Sequence, residues 1–517
     1  MPSPRLNASA PAAAIAHSPK AWLRVGALAA TFALTGCAVG PDFKPPAARA
    51  SDSYAAHSPH ATAGTPNVTA GAAQHFERGV ELPADWWTLF HSAPLDALIK
   101  QALANNHDLK AAQAALTVAH ETTLSGRGAY APSVSAGLSA SREQDPPGAL
   151  APVPSSNAYL YNLFTPQVSV SYVPDVFGLH RRTVESLSAQ EDAARYQLLA
   201  TQITLSANVA AAAVQEASLQ AQLDATQQLV AINRHMLQIL QRQHAKGYAS
   251  RLDVAAQTTQ LAQVSATLPP LVMQLQQQQH LLAVLVGRTP GEVPPTAFTL
   301  DGFTLPEALP LSLPSALVAQ RPDVLQAQAN LHVASAQIGV AEASRLPQIE
   351  LSANAGRTAL AIGEVFKPGS GFWNLGAAIS APIFQGGTLM HQERAARAAY
   401  VQAAEQYRGT VLTAFQNVAD VLSALQQDAE GLKTAATAAD AAKTTLDLSQ
   451  RQWKDGYAGY LAVLSAEQSY QQARIALVQA QASRLAASAA LFQALGGGWW
   501  QTAPASPSTS VRNSDGK

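Results

Sequence analysis

Residues 179–246 read LHRRTVESLSAQEDAARYQLLATQITLSANVAAAAVQEASLQAQLDATQQLVAINRHMLQILQRQHAK, with neither glycine nor proline. As a helix the stretch would run roughly 100 Å at 1.5 Å rise per residue. That exceeds the usual helix of a globular domain several-fold and is more than a bilayer requires. Arg181, Arg182, Glu185, Glu191, Asp192 and many glutamines make it too polar for lipid. No single compact core could cover such a rod, so it must pack lengthwise against other rods. Leu198, Leu205, Ala212 and Leu219 recur every seven residues, and Leu223, Val230 and Leu237 form a companion row. A sustained 3.5-residue period predicts coiled-coil packing; an ordinary bundle with a dry core fits the same rows.

The 517 residues suggest about three domains on length alone. A net charge of −1 gives no reason to expect nucleic acid or an acidic surface as partner. With only 13 % charged residues and abundant Ala and Gln, the composition suits long helices rather than a disordered polymer. After the amino-terminal segment no run of 18 apolar residues occurs, so no transmembrane helix is expected there. If the chain crosses a membrane, it must do so as a closed β-barrel, the other structure that satisfies every backbone group.

Lys20 and Arg24 precede an apolar run from Val25 to Leu34, followed by Thr35-Gly36-Cys37. This reads as a secretory signal over residues 1–36. Cys37 is the single cysteine, which excludes an intramolecular disulfide. It is either an incidental small residue of a cleaved peptide or the acylated first residue behind a bacterial lipobox. Its place directly after Leu34-Thr35-Gly36 favours acylation, and several acyl chains at roughly 0.8 kcal/mol per buried methylene anchor firmly. Ala38 in place of an acidic residue fits outer-membrane sorting. Residues 37–84 are expected to form a lipidated tether with little structure. Order is expected from Trp86-Trp87 onward, with Leu95, Leu98, Ile99, Ala102 and Leu103 on a helical period.

The chain repeats itself. Gly247-Tyr248 recurs as Gly456-Tyr457, Val254 as Val463 and Gly287 as Gly496, each 209 residues on; Pro174 and Gly178 recur as Pro382 and Gly386, 208 on. The unit is too long for a solenoid repeat. Repeat 1 spans 85–290 and repeat 2 spans 314–498, with 291–313 between them and 499–517 as a tail. Each repeat is expected to hold a helical segment (94–128; 314–345), two strands, a long helix (179–246; 388–455), a glycine turn and a returning helix (251–286; 460–495). Pro269-Pro270 must kink or interrupt the first returning helix.

The strands are expected at Ala131 to Ala140, Thr165 to Val173, Pro347 to Ala355 and Trp373 to Ile383. They alternate: Val134, Ala136 and Leu138 against serines, Val168, Val170 and Tyr172 against Gln167, Ser169 and Ser171, Ile349, Leu351 and Ala353 against Gln348, Glu350, Ser352 and Asn354. Period two with one apolar face is strand patterning, and a soluble sheet packed on helices would show it too. Lengths of about 10 residues and Tyr161, Phe164, Phe372 and Trp373 near strand ends favour a membrane barrel. Four strands cannot close one, since about eight is the smallest useful number. Copies of the chain must pair edge to edge; dimer, trimer and tetramer all remain open on this count.

These residues carry a resemblance. The chain is similar to the TolC-like outer membrane factors, and most closely to their lipoprotein branch of NodT-type efflux components, over nearly the whole mature sequence. Cys37-Ala-Val-Gly40-Pro41-Asp42, Trp86-Trp87 with Phe90, Asn105 and Asp108-Leu109, and the corners Pro174-Asp175-Val176-Phe177-Gly178 and Pro382-Ile383-Phe384-Gln385-Gly386-Gly387 all match its pattern. The most specific match is Leu313-Pro314-Ser315 with Arg321-Pro322-Asp323, followed by Ile338-Gly339-Val340-Ala341 and Pro347. The resemblance implies a mixed α/β membrane protein: a homotrimer with a 12-stranded transmembrane barrel, four strands per chain, continuing into a helical coiled-coil barrel in the periplasm. It implies a passive exit duct for small toxic molecules that docks on a periplasmic adaptor and, through it, an inner-membrane pump. Residues 290–314 and Trp499-Trp500 would form a belt around the helices.

Under this resemblance Gly247, Tyr248, Leu252, Asp253 and Val254, and Gly456, Tyr457, Leu461 and Val463, form the periplasmic tips that would meet the adaptor. A plain αα-hairpin turn explains the glycines but not the repeated aromatic and aliphatic set. Relatives with an acidic ring at the second tip differ from this chain, which has Ala462 and Ser465 there. No cofactor beyond the covalent lipid on Cys37, no metal and no nucleic acid is expected. An enzyme is not expected: the 13 histidines are scattered, and neither HExxH, a nucleophile elbow nor a phosphate loop occurs. Protein secretion and a non-transporting coiled-coil spacer are the competing functions; the repeated strand pairs argue against the spacer.

Overall fold

The computed structural model describes residues 38–46, 54, 61–148, 153, 157–292, 297–312 and 314–501. Cys37, the signal segment and the end of the tail lie outside them. In chain order the elements are β1 (His75–Arg78), α1 (Ala93–Asn105), α2 (His107–Arg127), β2 (Ser133–Gln144), β3 (Leu160–Tyr172), α3 (Leu179–Ala245), α4 (Arg251–Ala266) and α5 (Leu268–Leu285). They continue with β4 (Ala308–Leu311), α6 (Pro314–Gln320), α7 (Pro322–Ala343), β5 (Gln348–Arg357), β6 (Gly371–Ser380), α8 (Thr388–Lys454) and α9 (Tyr460–Ala494). The long helices α3 and α8 are each 67 residues. Two compact units emerge: residues up to 43 with 123–187 and 333–400, and the remainder.

The first unit is built on an antiparallel sheet in the order β2-β3-β5-β6. Its register sorts the side chains. Val134 pairs with Val170, Ala136 with Val168 and Leu138 with Pro166; Val168 pairs with Ala355 and Val170 with Ala353. Leu351 pairs with Ala377, Ala353 with Leu375 and Ala355 with Trp373. Because side chains alternate across a strand, all of these share one face, which is apolar through the middle of the sheet and polar only toward the hairpin ends, at Arg142, Gln144, Asn162 and Arg357. The opposite face carries Ser135 beside Ser169, Ser171 beside Ser352, and Asn354 beside Asn374, whose amides hydrogen-bond at 2.9 Å. Leu138 and Leu375 are 68 % and 75 % exposed in the single chain. Only half of the expected aromatic girdle is on the apolar face: Phe164 and Trp373 share it, whereas Tyr161 and Phe372 stand on the polar side.

At the start of α3, Arg182 is buried and gathers the segment that follows Cys37. Its guanidinium donates to Val39 O (3.0 Å), Gly40 O (3.1 Å) and Asp42 Oδ1 (2.8 Å), and to Glu185 Oε2 (2.7 Å). Residues 38–42 can lie this close because Gly339 has no side chain: a Cβ there would stand 2.7 Å from Arg182 Cγ.

The second unit buries the heptad rows as expected, with Leu205, Ala212, Leu219, Val411, Val418 and Leu425 all inside. Two expectations change. Structure begins before Trp86: β1 pairs in parallel with β4, and Arg484, fully buried, donates to Ala70 O (2.9 Å), Ala72 O (2.8 Å) and Thr62 Oγ1 (2.9 Å). Residues 61–84 are thus docked on α9 rather than tethering freely, held by buried charge-assisted hydrogen bonds that their Ala/Gly-rich composition conceals. The leading helical segments are each broken once, at Asn106 and at Arg321. Asn106 Oδ1 accepts from Leu109 N (3.0 Å), starting α2, while its Nδ2 donates to Leu285 O (3.0 Å) at the end of α5. Arg321 grips Asp323 at 2.9 and 2.6 Å and donates to Ala494 O (2.8 Å) at the end of α9. Leu285 and Ala494 are equivalent in the two repeats, so in each a side chain at the break holds the carbonyl that ends the returning helix; Asn106 also starts α2 itself, whereas Asp323 Oδ1, held by Arg321, accepts from Val324 N–H (2.9 Å) at the start of α7. The first returning helix is interrupted at Thr267, ahead of Pro269-Pro270.

The sorting of faces yields a test. Leu138→Arg, on the apolar face, should destabilise the membrane-inserted protein by about 2–4 kcal/mol, whereas Ser139→Arg on the polar face should leave it within about 1 kcal/mol. Urea midpoints in lipid vesicles report both.

Candidate functional site

The two glycine turns close identically. Gly247 N–H donates to His244 O (2.9 Å) and Tyr248 N–H to Gln243 O (2.8 Å); Gly456 N–H donates to Trp453 O (3.1 Å) and Tyr457 N–H to Gln452 O (2.8 Å). This paired closure needs a left-handed residue after the helix, and Gly247 and Gly456 sit at φ 80° and 81°. The following residue is thrown outward: Tyr248 is 82 % and Tyr457 86 % exposed. Leu252 and Leu461 are exposed beside them.

The expected tip set is thereby divided. Val463 is completely buried, in a cluster with Met236, Leu240, Leu446, Tyr460 and Ala466, and Val254 packs against the same cluster. Asp253 is turned onto its own helix: Ser250 N–H donates to Asp253 Oδ2 (3.0 Å), and Asp253 N–H to Ser250 Oγ (3.0 Å). This is a capping box. The second repeat has Gly459 and Ala462 in these places, and α9 starts without a side-chain cap. Cys37 lies outside the described residues.

Sequence reading missed what joins the hairpins. Tyr460 at the start of α9 donates its hydroxyl to Gln257 Oε1 on α4. Gln257 Nε2 then donates to Asn233 O and Oδ1 on α3, both at 2.9 Å. All three residues are buried, so every polar atom left without a partner would cost about 1–3 kcal/mol. Burial pushes the Tyr460 phenol upward. Trp453 stacks edge-on against Tyr460, centroids 5.6 Å apart. Beside them opens a groove of about 1110 Å³, lined by His235, Met236, Gln243, Asp253 and Trp453 among others.

The family model for outer membrane efflux proteins matches residues 98–288 and 313–497. The chain belongs to the outer membrane efflux protein family. It is 31 % identical to the pyoverdine export outer membrane protein OpmQ of Pseudomonas aeruginosa, over 80 % of this chain and 87 % of that one. It is 32 % identical to the toluene efflux pump outer membrane protein TtgF of Pseudomonas putida, over 91 % and 96 %. The solved outer-membrane channel OprN superposes with a TM-score of 0.79 at 26 % identity, covering 90 % of this chain and all of that one.

As an efflux-family channel, the protein has its sheet in the outer membrane and its long helices in the periplasm. Windows of α3 and α9 are long and apolar enough to cross a bilayer, but half of each window is buried within the protein; on α3 the heptad rows account for the apolar residues. The family transports; it is not a family of enzymes.

Two turns from Tyr460, Glu467 is 1 % exposed and neither carboxylate oxygen has a hydrogen-bond partner. Burial lifts its carboxyl from the usual 4.5 to about 7. The sequence signal was available: Tyr460, Val463, Ala466 and Glu467 share the buried face of α9, where an acid is out of place. The folded state holds this proton more tightly than the unfolded chain, so stability falls as pH rises from about 4.5 to about 7. Glu467→Gln should abolish that fall, stabilising the helices at pH 8 by up to about 3 kcal/mol and changing nothing at pH 4. Denaturant unfolding followed by circular dichroism at the two pH values measures it.

Proposed function

We propose that three copies of this chain close a 12-stranded barrel and form a passive duct that carries small toxic molecules across the periplasm and outer membrane. The observation that carries this reading is the sheet: four strands in register, one apolar face, one polar face, and two open edges. Four strands cannot enclose a lumen, and lipid tolerates no open edge, so edge-to-edge closure with other copies is required. Twelve strands exceed the eight at which side chains fill the interior, which leaves a water-filled passage lined by the serines, Asn354, Asn374 and Gln167.

The tips supply the partner reading. Tyr248, Leu252, Tyr457 and Leu461 are solvent-exposed at helix turns, where apolar side chains have no reason to be unless another surface covers them. A periplasmic adaptor fits this set, and an inner-membrane pump reached through the adaptor supplies the energy. Val254 and Val463 hold the hairpins together behind that surface, with Gly247 and Gly456 shaping the turns and Asp253 capping its helix. The two relatives are named for different cargoes, pyoverdine and toluene. The duct therefore imposes little choice, and selection belongs to the pump.

Cys37 is proposed as the acylated first residue of the mature chain. The lipobox supports this, as does the clasp of Arg182 on the residues just after it, where Val39 N–H also donates to Phe177 O (3.2 Å) at the strand-to-helix corner. Cys37→Ala should remove labelled palmitate while leaving the folded oligomer intact; a mutant that still carries the label contradicts the assignment. For the duct, native mass spectrometry of the purified protein should give a trimer that conducts ions in planar bilayers. A well-folded oligomer without conductance would sink the channel reading.

A further inference from the structure

The four strands hold four charged residues: Arg142, Glu143, Glu350 and Arg357. The register sorts them by sign. Arg142 stands in the row of Val134, Ala136, Leu138 and Ala140, and Arg357 in the row of Leu351, Ala353 and Ala355, both on the apolar face. Glu143 and Glu350 occupy the polar face, Glu350 accepting from Ser171 Oγ at 3.1 Å. Both arginines lie toward the hairpin-loop ends of their strands. The ends joined to helices, at Ser133, Tyr172, Gln348 and Ser380, carry no cation; the one charge near them, Glu350, is on the polar face. Since the helices are periplasmic, the arginines mark the rim at the outer leaflet.

Among the described residues no carboxylate pairs with either arginine. Lys367 nearby is already held by Glu364 at 3.0 Å. Arg357 instead makes two long hydrogen bonds through Nη1, to Lys367 O (3.5 Å) and Ser370 Oγ (3.4 Å), which leave its other nitrogens uncommitted among the described residues, and lies over the ring of Phe366, 5.8 Å from its centroid; Phe366 is itself 81 % exposed. The same pair lines a shallow cleft of about 420 Å³ together with Ala136, Leu138, Pro166, Val168 and Ala355 of the apolar face and with Gln167. An apolar cleft beside a cation matches the chemistry of a lipid's acyl chain and phosphate. A cation facing lipid costs little near the interface but still requires an anion, and on the outer leaflet the anions are headgroup phosphates.

We propose that this rim binds the phosphorylated glycolipid of the outer leaflet, with Arg357 and Arg142 on its phosphates, Phe366 against its sugar and one acyl chain in the cleft. The proposal goes beyond transport; it rests on the orientation of the sheet in the outer membrane and not on the number of copies. Purified protein is incubated with bis-phosphorylated lipid A, with lipid A stripped of both phosphates, or with phosphatidylglycerol, and retained lipid is counted by native mass spectrometry. The expected result is at least tenfold preference for bis-phosphorylated lipid A over both other lipids. Arg142→Gln/Arg357→Gln should lose that preference, and Phe366→Ala should weaken retention several-fold without altering conductance. Equal retention of phosphorylated and stripped lipid A by the unaltered protein overturns the proposal, without any variant needing to fold. Equal retention of phosphatidylglycerol overturns it as well, reducing the rim to a general anionic-lipid surface. An assembled double variant that keeps the preference overturns the assignment to these arginines.

Discussion

Along the outer edges of β2 and β6 run two rows of backbone N–H and C=O groups with no partner in the same chain. In water such edges would invite aggregation; in hydrocarbon each open group costs several kcal/mol. The remaining features of the sheet follow from satisfying them. The edges must meet edges of other copies, the closed surface must present one apolar face to lipid, and so the register must bring the apolar rows in the middle of the four strands onto the same side. A slip of one residue at β3–β5 would turn half the sheet inside out. The pairing of Val168 with Ala355 and of Ser171 with Ser352 is therefore a requirement of assembly as much as a local preference.

The helices answer a different constraint. A helix of 67 residues has no internal reason to stop, and its ends must be built. Each repeat builds its turns by the same chemistry. At the tip a left-handed glycine closes the last turn of the long helix and throws out a tyrosine. Where the returning helix ends, a single side chain, Asn106 or Arg321, holds its last carbonyl from the break in the leading helices. That Asn and Arg serve the same place shows that duplication preserved the geometry of the joint rather than its residues. The two tips have also diverged: Ser250 and Asp253 cap α4, while Gly459 and Ala462 leave the start of α9 uncapped, next to the buried carboxyl of Glu467.

Much of this was legible in the sequence. Lack of glycine and proline gave α3 to within a residue, period two gave the strands, and the 209-residue offset gave the duplication and with it α8, despite Gly409 and Gly431 within that helix. The contacts that are non-local were not legible. Residues 61–84 look like linker by composition, because what orders them is Arg484, some 400 residues away. The break at Asn106 falls within helix-compatible sequence, whereas Pro322 marks the one at Arg321; what neither shows locally is the carbonyl it holds, at Leu285 or Ala494. At the tips, the repeated set could be recognised, but Val254 and Val463 could be separated from Tyr248 and Tyr457 only by burial. Tyr460, Gln257 and Asn233, which join the hairpins, lie on three helices and leave no local pattern.

Everything proposed for the sheet depends on its two faces meeting two different solvents. Spin labels placed singly at residues 134 to 141 of the membrane-inserted protein would measure this directly, through collision with oxygen in lipid and with a nickel chelate in water. Even-numbered positions should be accessible to oxygen and odd-numbered ones to the chelate, alternating along β2. Chelate access at every position, or no alternation, would contradict a lipid-facing apolar face enclosing an aqueous passage.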